Sequence, residues 1–132
     1  MKTIRRFLLL VLPAPILAAC QTAGESPGAS GNGAAIALLQ TVNDRAQTCW
    51  VKSKDKDFRA YRVIPELDTR VGKPRILIVS AKAAQGLPQL VIEAEGTPAR
   101  LSSYGPLVSE AIGDRIHGDV RRWAKGDTAC TA

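Results

Sequence analysis

The chain is short of the residue sets that most catalytic and metal sites require. It has one histidine, His117, and three cysteines, Cys20, Cys49 and Cys130, none of them in a close ligand cluster. That spacing does not suit a structural zinc site. No P-loop, dinucleotide fingerprint, EF-hand or zinc motif is present, and no serine sits in Gly-x-Ser-x-Gly. There is no long polybasic stretch, so the formal charge of +6 does not argue for nucleic acid. The longest apolar run, Phe7 to Leu17, is interrupted by Pro13 and Pro15. It is far shorter than the roughly 20 residues a membrane-spanning helix needs.

What is present begins with that run. Lys2, Arg5 and Arg6 precede it and Leu17-Ala18-Ala19-Cys20 closes it, which is the layout of a secretion signal. The Leu-Ala-Ala-Cys ending resembles the lipobox of bacterial lipoprotein precursors. That resemblance implies a signal over residues 1–19, removed on processing, and an acylated Cys20 as the first mature residue. Gln21 in the next position resembles the signal for release to the outer membrane. The implied location is lipid-anchored at the periplasmic face of the outer membrane, with the bilayer as one partner through Cys20. Removing the three basic residues of the signal also halves the formal charge.

Residues 20–33, rich in Gly, Ser and Ala, cannot build a core and read as a tether. Residues 34–132 read as one small domain. Its two cysteines, Cys49 and Cys130, form an even pair, and a single disulfide is the economical pairing in an oxidising compartment.

Ile36, Leu39, Val42 and Ala46, widened by Leu38, recur at helical spacing and predict a helix from Ala34 to about Cys49-Trp50, with Asn32 as cap. Lys52 to Asp57 alternates in charge and reads as a solvated loop. Phe58–Ile64, Arg75–Val79 and Gln89–Glu95 predict three strands. The second is continuously apolar, hence central. Leu90, Ile92 and Ala94 place the third with one face inward. Ser102 to Leu107 reads as a turn into a final helix. Leu107, Val108, Ala111, Ile112, Ile116, Val120 and Trp123 form the apolar stripe of that helix, and Gly126 stops it. The expected fold is α+β: a three-stranded antiparallel sheet packed against N- and C-terminal helices and stapled by one disulfide. The Val42–Trp50 segment followed by the strands Phe58–Ile64 and Arg75–Val79 resembles the carboxy-terminal domains of TolA and TonB. The resemblance adds support for a small α+β domain and carries no activity with it.

Candidate binding residues are Tyr104, beside the start of the last helix where unpaired N–H groups favour anions, Arg62, and the cations Arg121, Arg122 and Lys125 at the helix end. Glu93 and Glu95 share a strand face and would need Glu110 or Asp114 beside them to act as paired carboxylates. No catalytic residue, metal ligand or cofactor is assigned. The expected function is a non-enzymatic envelope lipoprotein presenting a domain that binds another envelope protein or peptidoglycan, with no nucleic acid among its partners. The alternatives are a small cell-wall or lipid-processing enzyme or its accessory subunit, built on Tyr104, Glu93 and Glu110, and a small-ligand binder with Arg62 at the mouth of a pocket.

Overall fold

A computed structural model describes residues 31–68 and 72–131. The signal, Cys20 and most of the expected tether lie outside the described residues.

Helix α1 spans Gly33–Ala46 and buries Ala35, Leu39, Val42 and Ala46. Two of these four are alanines, so the backbone sits close to the sheet, while Ile36 and Leu38 pack half-buried on the flanks. Asn32 stands at the cap position, but its side chain makes no capping bond; its carbonyl accepts from the Ile36 N–H at 2.8 Å. The helix continues as a π-helical turn, Gln47–Lys52. This wider turn brings the consecutive residues Cys49 and Trp50 inside together. A 3-10 turn, Lys56–Phe58, then inserts Phe58 against Trp50, with ring centroids 4.4 Å apart and planes 9° from parallel.

The expected three-stranded sheet is corrected to four strands. β1 (Tyr61–Glu66), β2 (Arg75–Ser80), β3 (Leu90–Glu95) and β4 (Arg100–Tyr104) form an antiparallel meander in chain order. β4 pairs Val91 with Tyr104 and Glu95 with Arg100. Its sequence, Arg-Leu-Ser-Ser-Tyr, holds a single aliphatic residue, so local pattern alone reads it as a turn. β3 stabilises it as a strand through the cross-strand ladder. β1 also starts three residues later and ends two later than the pattern predicts, and it includes Pro65, which an edge strand tolerates.

Both helices cover one face of the sheet. Ile76, Ile78, Leu90, Ile92 and Ala94 meet the α1 stripe and Ile116, Val120 and Trp123 of helix α2 (Ala111–Ala124) in one core. The stripe residues Leu107 and Val108 belong to a separate 3-10 turn, Pro106–Ser109, that precedes α2. Two glycines make this corner possible. A Cβ on Gly105, at φ 127°, would lie 2.6 Å from the Gln89 carbonyl oxygen, and one on Gly113 would lie 2.0 Å from that of Leu107. The expected disulfide is present: Cys49 and Cys130 are joined, with Cα atoms 5.0 Å apart.

The bilayer partner and the outer-membrane placement are corrected here. Cys49 and Cys130 are bonded to each other, which leaves neither thiol of the folded body for acylation. Among the described residues no helix is long and apolar enough to cross a membrane. Cys20 lies outside the described residues, and the lipid-anchored placement, with its envelope and peptidoglycan partners, is set aside.

Candidate functional site

The two edges of the sheet differ. The β1 edge is defended. Pro65 has no N–H to offer, and the outward Val63 carbonyl accepts from the Gln47 side chain at 3.3 Å. The β4 edge has no such cover. Arg100–Tyr104 contains no proline, and among the described residues no hydrogen bond reaches its outer side. Its outward N–H and C=O groups are a row of unused donors and acceptors.

Beside that edge runs α2. Leu101, Ser102 and Ser103 of β4 and His117, Val120 and Arg121 of α2 line a groove of about 270 Å³. Alternation puts Leu101 and Ser103 on the helix side, across from Ala94 and Ile92. Val120 is buried and Leu101 half-buried, so the floor is apolar, and Arg121 is exposed at the rim. His117 is half-buried here. Among the described residues no carboxylate or serine is bonded to it, and it serves as a wall.

A larger groove of about 820 Å³ opens on the other side of α2. Its base is an ion-pair network. Asp119, only 6% exposed on α2, accepts from the Trp50 indole N–H at 2.9 Å and from Arg122 at 2.6 Å. Arg115 binds Asp55 with two nitrogens, binds Asp57 at 2.8 Å, and lies over the Phe58 ring at 5.2 Å. Arg122 also reaches Asp127 at 2.6 Å. The charged 52–57 segment, which the sequence pattern reads as a solvated loop, is therefore in part a clamp on α2. Lys56, Arg121 and Lys125 line the same groove with no ion pair among the described residues.

The bond to Arg115, aided by the Asp57 backbone N–H, holds the Asp55 carboxyl below its ordinary range. A depressed folded-state pKa stabilises the fold above the unfolded value of about 3.9 and ceases to do so as pH falls through the folded value. The urea midpoint is expected to fall between pH 5 and pH 3, and Asp55→Asn should flatten part of that decline. An unchanged pH profile in Asp55→Asn would show that the clamp adds nothing.

The open face of the sheet holds most of the remaining candidates. Tyr104 is a β4 residue on this face, so its expected position beside helix-start amides is corrected. Its hydroxyl donates to Glu93 at 2.7 Å, and that bond, with desolvation second, raises the phenol's pKa. The amides after Gly105 are also occupied, Leu107 N–H by the Gln89 carbonyl and Val108 N–H by that of Gly105. Glu95 pairs with Lys73 at 2.7 Å and Arg75 with Glu66 at 2.6 Å. Such exposed pairs contribute about 0–1 kcal/mol each. Arg62 points from the open face of β1, opposite Val79, and stands at no helix–sheet pocket. Glu110 lines a separate depression with Tyr61 and Arg115. The Tyr104–Glu93–Glu110 arrangement an enzyme reading needs is thus not assembled. Among the described residues no group of three His, Cys, Asp or Glu side chains is placed to hold a metal.

Of the five candidate binding residues, Arg121, Arg122 and Lys125 share the larger groove, with Arg122 spent on Asp119 and Asp127, while Tyr104 and Arg62 lie on the opposite side of the sheet. Sequence reasoning missed the β4 edge and Asp119. One signal for Asp119 was present: it sits three residues after Ile116 and four before Trp123, a carboxylate inside the apolar stripe. Comparison with protein-family models, curated proteins and solved structures finds no match.

Proposed function

We propose that this chain is a non-enzymatic binding domain that takes an extended segment of a partner polypeptide onto the β4 edge. The observation that carries the reading is the contrast between the two edges: β1 is closed by Pro65 and Gln47, and β4 is left open beside an apolar-floored groove. An uncovered edge strand invites pairing with another chain, and folded proteins commonly block it. Strand addition uses the backbone groups for affinity and alternate side chains for specificity. The rigid supports are in place on either side, since β3 holds β4 in register and the disulfide and the Asp119 network hold α2.

Selection of random heptapeptides on the full chain, followed by amide hydrogen exchange with the selected peptides, tests the reading. Amides of Arg100–Tyr104 that face outward should gain roughly tenfold or greater protection, and those of Tyr61–Glu66 should not change. Peptides that bind while protecting other elements, or no enrichment at all, would overturn it.

A further inference from the structure

Resting on that reading, we infer that the captured segment carries an acidic side chain, read by Arg121, two residues from an apolar one seated between Leu101 and Val120. Residues paired across a ladder point to the same face. A strand added to β4 therefore turns toward α2 only those side chains that lie opposite Leu101 and Ser103. These are two residues, or about 7 Å, apart, and together they face the groove formed with His117, Val120 and Arg121. Its floor, buried Val120 and half-buried Leu101, offers an apolar side chain the only dry contact there.

The charge around this groove is one-sided. No carboxylate lines it. Arg121 forms no ion pair among the described residues; in the larger groove it also borders, Asp55, Asp57 and Asp119 are paired with Arg115 and Arg122, and not with it. Nearby carboxylates are committed elsewhere: Glu93 to Tyr104, Glu95 to Lys73, and Asp119 to Trp50 and Arg122. Asp114, two turns before Arg121 on α2, lies outside the lining. Arg100 stands exposed at the start of the strand, adding a second cation along the path of an incoming chain. Opposite charge on the partner steers encounter and fixes register, and like charge is rejected.

The test uses the full chain and three extended heptapeptides built on a Thr/Val host. They differ at one position, Glu, Gln or Lys, two residues from the valine. The Glu peptide should bind about two- to fivefold more tightly than the Gln peptide, the range for an ion pair at an exposed rim, and the gap should shrink in high salt. Arg121→Gln should erase the preference, and Arg121→Glu should transfer it to the Lys peptide. Arg121 is exposed, and a circular dichroism spectrum matching the parent confirms that each variant is folded. Equal affinity for all three peptides, with β4 amides protected, overturns the charge inference and leaves the edge reading standing. Failure of all three to protect β4 overturns both. An Arg121-dependent preference that leaves β4 amides untouched places the carboxylate in the larger groove and overturns both as well.

Discussion

Removing the Cys49–Cys130 bond is expected to lower the unfolding free energy by about 4–5 kcal/mol. The two cysteines are 81 residues apart, so the bond closes nearly the whole folded body into one loop. In the chain-entropy model a loop of that length restricts the unfolded ensemble by roughly that amount. The effect is large against the total of about 5–15 kcal/mol that a domain of this kind has. Its structural consequence is local to α2 and the tail. Without the bond, residues 127–130 are held by weaker ties: the Trp123 indole N–H to the Ala129 carbonyl at 2.9 Å, the Ala129 N–H to Asp127 at 2.9 Å, and a long Arg45 contact to the Thr128 carbonyl. Urea unfolding of the parent with and without reductant, compared with the Cys49→Ala/Cys130→Ala double variant, measures the loss. A change below about 1 kcal/mol in both comparisons would mean that the bond is not a structural staple. A structural bond of this kind persists in oxidising surroundings.

Asp119→Ala is expected to cost about 3–5 kcal/mol, the range for removing one partner of a buried ion pair. Three groups converge on this carboxylate: the Trp50 indole at 2.9 Å, Arg122 at 2.6 Å and Arg115 Nε at 3.8 Å. Trp50 is 1% exposed, and Asp119 is the acceptor its N–H uses. The same indole stacks on Phe58 and lies 5.0 Å from the Trp123 ring, which couples the polar loss to the aromatic centre of the core. Asp119→Asn keeps an oxygen for the indole and removes the charge that both arginines use. It should fall between the parent and Asp119→Ala. Urea unfolding followed by tryptophan fluorescence reads both. If Asp119→Asn is as damaging as Asp119→Ala, the charge, and not the Trp50 bond, carries the effect. If neither costs more than a surface substitution, the network is ornamental.

The elements legible in sequence are those whose burial repeats at a fixed period. Leu90, Ile92 and Ala94 alternate, and all three are fully buried in β3. Ile76 and Ile78 sit in a run apolar at every position, and β2, like β3, has a neighbour on each side. Ile116, Val120 and Trp123 mark α2 at spacings of four and three. α1 was legible as a helix, but its buried line runs through Ala35 and not Ile36, because the close approach to the sheet selects the smaller residue. β4 was not legible. With one aliphatic residue in five, its strand state comes from pairing with β3, and pairing is invisible to a window that sees only its own residues.

The candidate site follows the same division. Arg121, Arg122 and Lys125 were visible as a cationic helix end, but charge alone does not say which of them is spent. Arg122 is bonded to Asp119 and Asp127, and Arg121 is left at the rim of the β4 groove. Tyr104 looked like a loop phenol beside a helix start, whereas the strand turns it to the opposite face, onto Glu93.

By itself the sequence determined the two helices, the two inner strands of the sheet, and the even pair of cysteines that closes the body, because amphipathic periodicity and cysteine parity are local or countable properties. Tertiary structure alone decided the fourth strand, the burial of Asp119 under Trp50, and which sheet edge stays open. Each of these depends on a partner supplied by a distant stretch of chain: β3 for β4, Trp50 for Asp119, and Gln47 for Val63. Hydrogen bonding across space assigned those partners, and no repeat along the chain records them.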